Sequence, residues 1–253
     1  MLAHLLSAQA FGILVVFARV GTTIAFLPGF GASYVSIRMR LLLALALSLL
    51  VTPVLGQAVP PLPSSPAALG LLLLSEALIG LFLGSIARIA IAALQTAGTF
   101  VAYLSSFANA LVQDPVVDQQ SSTISGFFST LGLLLIFVTD LHHLMLRSIV
   151  ASYGLFAPGA PPPLDDFCRL IVRNAADSFA LGVQLSAPFL IVNLVYNVGL
   201  GLLGRLMPQL PVFFFGLPMQ IAVQIWVMML TISGIMLLFL NRFTQTLAGG
   251  WGI

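Results

Sequence analysis

Apolar residues fill long stretches of this chain, and charged residues only interrupt them. No Asp, Glu, Lys or Arg occurs between Arg40 and Glu76, or between Arg205 and Arg242. Each stretch is longer than the about 20 residues that an α-helix needs to cross the hydrocarbon layer of a bilayer. The pattern therefore predicts a series of membrane-spanning helices.

Turn-forming residues divide these stretches, because proline and glycine end helices. The predicted spans are 5–27, 41–56, 67–112, 124–150, 178–203 and 213–240. The stretch 67–112 contains no proline, and two interpretations stay open for it. It is two helices with a break near Arg88, or one helix of about 70 Å that must project out of the bilayer.

Composition agrees with the pattern, since 60% of the 253 residues are hydrophobic and 6% are charged. A soluble domain carries about a quarter of its residues as charge. We expect an all-α polytopic membrane protein with six to seven long hydrophobic helices, some of them kinked, and a single domain over 1–253. The arginines are scattered and lysine is absent, so no nucleic-acid partner is expected.

The positions of the arginines predict an orientation, because cytoplasmic loops of membrane proteins carry the excess of basic residues. If Arg38 and Arg40 lie in the cytoplasm, the 57–66 loop lies outside. With a break near Arg88, most of the remaining arginines also fall inside. This assignment predicts an outside N-terminus and a cytoplasmic C-terminus.

Charges inside spans are costly and usually face other helices or a cavity. Glu76, Gly80, Gly84 and Arg88 follow one another at four-residue steps, on one slowly drifting helix face. Glu76 and Arg88 are too far apart to pair, so their partners must lie on other helices or subunits. A proton or ion path is one interpretation. Helix assembly is favoured, because no second carboxylate lies nearby in the spans to form a relay.

A second polar group consists of Asp140, His143 and Arg147, at positions i, i+3 and i+7. His143 can bridge the other two on one helix face. A structural cluster is favoured there over a proton switch. The pair His142-His143 lacks a glutamate at metalloprotease spacing, so no zinc peptidase is expected. The lone Cys168 excludes an intrachain disulfide and a thiolate metal site.

Enzyme motifs are poor throughout the chain. We expect no catalytic residue, no cofactor and no metal, with an intramembrane hydrolase using Ser33 as a weak alternative. A secondary transporter is the main competing interpretation. Its site would be a broken helix between Arg205 and Pro218, where Pro208 and Pro211 also lie.

One segment has a specific signature: Leu200-Gly-Leu-Leu-Gly-Arg-Leu-Met-Pro-Gln-Leu210, continued by Phe213-Phe-Phe-Gly-Leu-Pro218. Weaker motifs precede it, namely Arg19-x-Gly21, Pro28-Gly29-Phe30, Glu76 with Gly80 and Gly84, Gly98, and Asp114-Pro115. Together these motifs resemble the FliR family, the flagellar members of the type III secretion export-gate membrane proteins.

The resemblance implies a subunit of the flagellar type III export gate in the bacterial inner membrane, within the flagellar basal body. Its partners would be FliP-type and FliQ-type subunits and also FlhA and FlhB. The gate would pass unfolded flagellar proteins outward. The resemblance further implies a chain built like a FliP-type part joined to a FliQ-type part.

The resemblance assigns one group of residues, and the charges, glycines and prolines of the sequence indicate a second. The first is a loop that plugs the pore, with Phe107 as an apolar stopper, and a plain external loop is the alternative. The plug consists of Phe107, Gln113, Asp114, Pro115, Val116, Val117, Asp118, Gln119 and Gln120. The second group serves helix packing and assembly. It consists of Glu76, Gly80, Gly84, Arg88, Gly201, Arg205, Pro208, Gln209, Gly216 and Pro218.

Overall fold

The computed structural model describes residues 2–56, 60–105, 123–207 and 212–251, which form seven α-helices and no strand. The helices are α1 (Leu2–Phe26), α2 (Ile37–Leu55), α3 (Pro66–Leu104), α4 (Thr123–Val138), α5 (Leu141–Leu155), α6 (Leu164–Leu206) and α7 (Val212–Trp251). Within this part of the chain, five helices are long and apolar enough to cross a membrane, and α4 with α5 passes the same test as a bent pair. The chain is an all-α polytopic membrane protein, as the sequence predicts.

Helix α3 passes Arg88 without interruption, so the break assumed there is wrong. The helix has 39 residues, which is about 58 Å at 1.5 Å per residue. That length is nearly twice the about 30 Å of bilayer hydrocarbon. The single long helix is therefore the correct alternative as far as Leu104, and the predicted continuation to residue 112 falls in 106–122, outside the described residues.

The prediction of a single helix over 124–150 is also wrong, because this stretch forms two helices. Helices α4 and α5 meet at an angle of 75°. Asp140 lies at the break with φ 58° and ψ 14°, and it is the only non-glycine residue with positive φ in the described part of the chain. Aspartate tolerates this left-handed conformation better than most residues do.

Helices α6 and α7 are longer than the spans expected for them. Helix α6 begins at Leu164, well before the predicted span 178–203, and continues through Pro188 to Leu206. Helix α7 is helical through Pro218. Only residues 207–211 connect α6 to α7. Helix α7 is not broken at Pro218.

The chain divides into two compact units. The first comprises Met1–Ala90, Phe137–Ala175 and Phe243–Ile253. Its core contains a fully buried face of α1, with Val16, Val20 and Ile24 at 0% exposure. Phe82 of α3 stacks on Phe167 of α6, with ring centroids 3.9 Å apart.

The second unit comprises Ile91–Ile136 and Ala176–Arg242. Helix α4 packs antiparallel to α3 here, because Gly98 faces Ser125 while Gly132 faces Leu94. The Ser125 hydroxyl donates to the Gln95 carbonyl oxygen at 3.1 Å. Small residues at these positions let the two helices approach closely.

One contact in the first unit contradicts the predicted orientation. Gly159, in the loop before α6, lies against Pro60, in the loop before α3. The two loops therefore lie at the same end of this unit, whereas the arginine count placed them on opposite sides of the membrane. The count failed because it assumed the break near Arg88.

Candidate functional site

A fully buried ion pair joins α1 to α3. Arg19 Nε donates to Glu76 Oε2 at 2.7 Å, and both side chains are 0% exposed. Arg19 completes its contacts on α5 and just beyond it. Its Nη1 donates to Ser152 Oγ at 3.2 Å and its Nη2 to the Phe156 carbonyl oxygen at 3.0 Å. The guanidinium also lies 4.0 Å from the ring centroid of Tyr153.

The second carboxylate oxygen of Glu76 holds the loop between α5 and α6. The backbone N–H of Gly159 donates to Glu76 Oε1 at 3.0 Å. Gly159 has φ 81°, a conformation that a residue with a side chain rarely adopts. Both carboxylate oxygens are therefore occupied, and the cluster links α1, α3, α5 and the following loop.

Glycines on α3 make room for this pairing. A side chain at Gly80 would collide with Thr22 and the Arg19 carbonyl oxygen, and one at Gly84 would collide with Phe26. The Thr22 and Thr23 hydroxyls both donate to that same Arg19 carbonyl oxygen, at 3.0 Å and 2.7 Å. Close approach of α1 and α3 is what brings Arg19 within reach of Glu76.

Arg88 does not join the cluster. It is exposed, and no ion pair or hydrogen bond joins it to the described residues. Four-residue steps drift by about 40° each around a helix, so Arg88 is turned about 120° away from Glu76. The face that begins buried at Glu76 therefore ends exposed at Arg88.

The carboxyl-terminal signature belongs to an antiparallel pair formed by α6 and α7. The Tyr196 hydroxyl donates to the Gly216 carbonyl oxygen at 2.6 Å. Gln220 Nε2 donates to Asn193 Oδ1 at 3.0 Å and to the Leu104 carbonyl oxygen, at the end of α3, at 2.9 Å. In a membrane, side-chain hydrogen bonds of this kind hold helices together.

The remaining signature residues fall into three groups. Gly216 packs against the Leu200 side chain, whereas a methyl group added to the Gly201 backbone would meet no described atom of this chain within 4 Å. Gly201, Arg205 and Pro218 are exposed. Pro208 and Gln209 lie in 208–211, outside the described residues. The Arg205 side chain donates to no described residue. Any carbonyl that accepts from its guanidinium would have to lie in 208–211 or on a partner.

All nine plug residues, Phe107 and Gln113 to Gln120, lie in 106–122 and are outside the described residues. The other predicted polar cluster is only partly assembled. His143 Nδ1 lies 3.6 Å from Asp140 Oδ1, and both side chains are exposed. Arg147 is exposed and makes no ion pair with either residue.

Sequence reasoning missed several contacts. Arg40 donates to the carbonyl oxygens of Phe30 and Ala32, at 3.2 Å and 3.0 Å, and so closes the loop before α2. Tyr153 and Ser152, which complete the Arg19 site, were not singled out. Their spacing in α5 gave no signal, because only the packing of α5 against α1 brings them to Arg19.

Known proteins match this chain over nearly its whole length. A family model described as "Bacterial export proteins, family 1" matches residues 10–246. The chain is 36% identical over 239 residues to the flagellar biosynthetic protein FliR of Caulobacter vibrioides, covering 94% of this chain and 95% of that protein. It is 33% identical over 237 residues to that of Bacillus subtilis, covering 92% and 91%.

Two further relatives are not named as flagellar proteins and match less of the chain. The chain is 25% identical over 150 residues to the secretion system apparatus protein SsaT of Salmonella typhimurium, covering 59% of this chain and 58% of that protein. It is 28% identical over 186 residues to the Yop proteins translocation protein T of Yersinia pestis, covering 70% and 69%.

Proposed function

This chain belongs to the FliR family of bacterial export proteins, and we propose that it forms part of the flagellar type III export gate in the bacterial inner membrane. It is a membrane-embedded component of the export apparatus. The observation that carries the proposal is the match over residues 10–246, with flagellar relatives of nearly the same length. The role is structural and requires no catalytic step or cofactor.

Exposed surface supports a subunit of a larger assembly. Arg88 is exposed in the interior of the apolar helix α3, where a charge facing lipid alone is costly. Gly201 is exposed and uncovered on α6, and small residues of this kind commonly receive a second helix. Partner subunits of the FliP and FliQ type, with FlhA and FlhB beside them, would satisfy both positions.

The buried charges have a different role in the proposal. Arg19 and Glu76 pair within this chain, so they hold its first unit together rather than contact a partner. Each carboxylate oxygen of Glu76 accepts a hydrogen bond within this chain, which favours a structural role over a proton relay. We therefore assign Glu76 to the folding of the subunit, and Arg88 to its assembly with others.

The loop that contains Gln113 to Gln120, with Phe107 at its entry, is proposed as the plug of the gate. Support comes from its place in a family-matched chain, between the end of α3 and the start of α4. In the resting gate this loop would close the pore through which unfolded rod, hook and filament proteins pass.

Co-purification tests the assembly. The affinity-tagged chain, expressed with FliP-type and FliQ-type subunits and extracted in detergent, is expected to elute as one large hetero-oligomer. Arg88→Gln should lower the yield of that complex but not of the chain expressed alone. Arg173→Gln, an exposed change on α6, serves as the matched control. A chain that elutes as a monomer or small homo-oligomer and binds a solute would support the transporter alternative.

A further inference from the structure

Three residues with side chains that bind metals lie at the break between α4 and α5. Asp140, His142 and His143 each direct one donor atom into the same place, and these atoms lie within 4.8 Å of one another. Asp140 occupies the left-handed turn of the break, and the two histidines belong to the first turn of α5. The three residues lie within four positions of the chain, at the 75° bend between the two helices.

Two observations show that these donors are not satisfied by the described part of the protein. His143 Nδ1 lies 3.6 Å from Asp140 Oδ1, which is beyond hydrogen-bond distance. The Nδ1 atom of His142 is buried and has no hydrogen-bond partner among the described residues. A buried polar atom without a partner is rare in folded proteins.

We propose that Asp140, His142 and His143 bind a divalent transition-metal ion, for which zinc is the best fit. Two imidazoles and one carboxylate are typical zinc ligands, with a fourth position left for water. Two donors about 2.1 Å from a tetrahedral ion are about 3.4 Å apart, close to the separation of His143 Nδ1 and Asp140 Oδ1. Zinc peptidase spacing is not needed for such a site.

The surrounding residues restrict the imidazoles. The His142 ring stacks on Phe137 of α4, with ring centroids 5.0 Å apart, and lies 4.2 Å from the His143 ring. Phe137 in turn packs on Phe30 at 5.6 Å. An ion at this position would tie Asp140 to the first turn of α5 and hold Asp140 in its left-handed conformation.

Cobalt binding tests the proposal, because Co²⁺ replaces Zn²⁺ at tetrahedral sites and gives visible absorption. The full chain is purified in detergent with a peptide tag that contains no histidine and is then titrated with Co²⁺. We expect one Co²⁺ per chain, displaced by Zn²⁺. His143→Ala, and separately Asp140→Asn, should weaken binding at least about tenfold. Asparagine accepts the left-handed conformation, so Asp140→Asn removes the charge while keeping the turn.

His4→Ala is the matched control, since His4 is the only other histidine of the chain. It should bind Co²⁺ like the unchanged protein, and all variants should keep their helical circular dichroism. The absence of cobalt absorption in the unchanged chain would overturn the proposal. Equal affinity in all four proteins would overturn it too, because the ion would then be adventitious.

Discussion

Arg19 Nε lies 2.7 Å from Glu76 Oε2, and neither side chain has any exposed surface. The two residues are 57 positions apart in the chain, yet together they fix α1 against α3. Burying two charges costs free energy that only a close, fully hydrogen-bonded pair offsets. The pair is therefore better understood as a determinant of which helices meet than as a source of net stability.

Glu76→Gln should destabilise the chain itself. The substitution leaves Arg19 buried without its counter-ion, and breaking a buried ion pair typically costs about 3–5 kcal/mol. We expect a lower thermal midpoint in detergent and a lower yield of the chain expressed without partners.

The stability of the double variant Arg19→Met with Glu76→Leu should be compared with that of Glu76→Gln. The double variant removes both charges and leaves neither unpaired, so it should recover a substantial part of the lost stability. If Glu76→Gln assembles normally but export loses its dependence on the proton motive force, the relay interpretation is correct instead.

Substitution by leucine should have different effects at Gly80 and at Gly201. Gly80→Leu places a side chain against the backbone of α1, and overpacking of this kind costs about 1–3 kcal/mol or more. The backbone of Gly201, in contrast, has open space beside it in the described chain. Yield of the chain alone should therefore fall for Gly80→Leu only, whereas Gly201→Leu should lower only the yield of the complex with partner subunits. A Gly201→Leu chain that assembles fully would exclude a partner helix at this position.

Both termini should lie on the same side of the membrane. Because the loops before α3 and α6 lie together, the bent pair α4 and α5 must cross back, which makes six crossings. Arg38 and Arg40 at the start of α2 favour a cytoplasmic position for that end, and hence a periplasmic location for both termini. Reporter fusions before residue 1 and after Ile253 measure this directly. Opposite sides for the two reporters would restore the orientation expected from the arginines.

Much of the fold follows from hydrophobic runs, but the breaks and pairings do not. Long apolar stretches locate α1, α2 and α3 because lipid requires a run of apolar residues. Thr139-Asp140 offers only a brief polar interruption, and nothing local shows that the chain turns by 75° there. Sequence marks Glu76 and Arg19 as charges within spans, yet their pairing depends on which helices become neighbours. That choice is made by contacts such as Gly80 against Thr22.

Deleting Asp114 to Ser121 tests the plug. The deletion removes the proposed obstruction and leaves every described helix intact, so closure should be lost without effect on the helices. The complex should assemble at normal abundance but leak small solutes, and cells should become sensitive to salts and small antibiotics. The unchanged chain, expressed in the same cells at the same complex abundance, is the control. An intact barrier beside normal complex abundance would show a plain external loop.

If this chain is a required subunit of the flagellar export gate, cells that lack it should not export flagellar proteins. The most direct test is to delete its gene in its own bacterium and to measure hook and filament proteins in the culture medium. We predict that export and motility are abolished and that the unchanged chain, supplied from a plasmid, restores both. Export that continues at the normal level in the deletion strain would contradict the account.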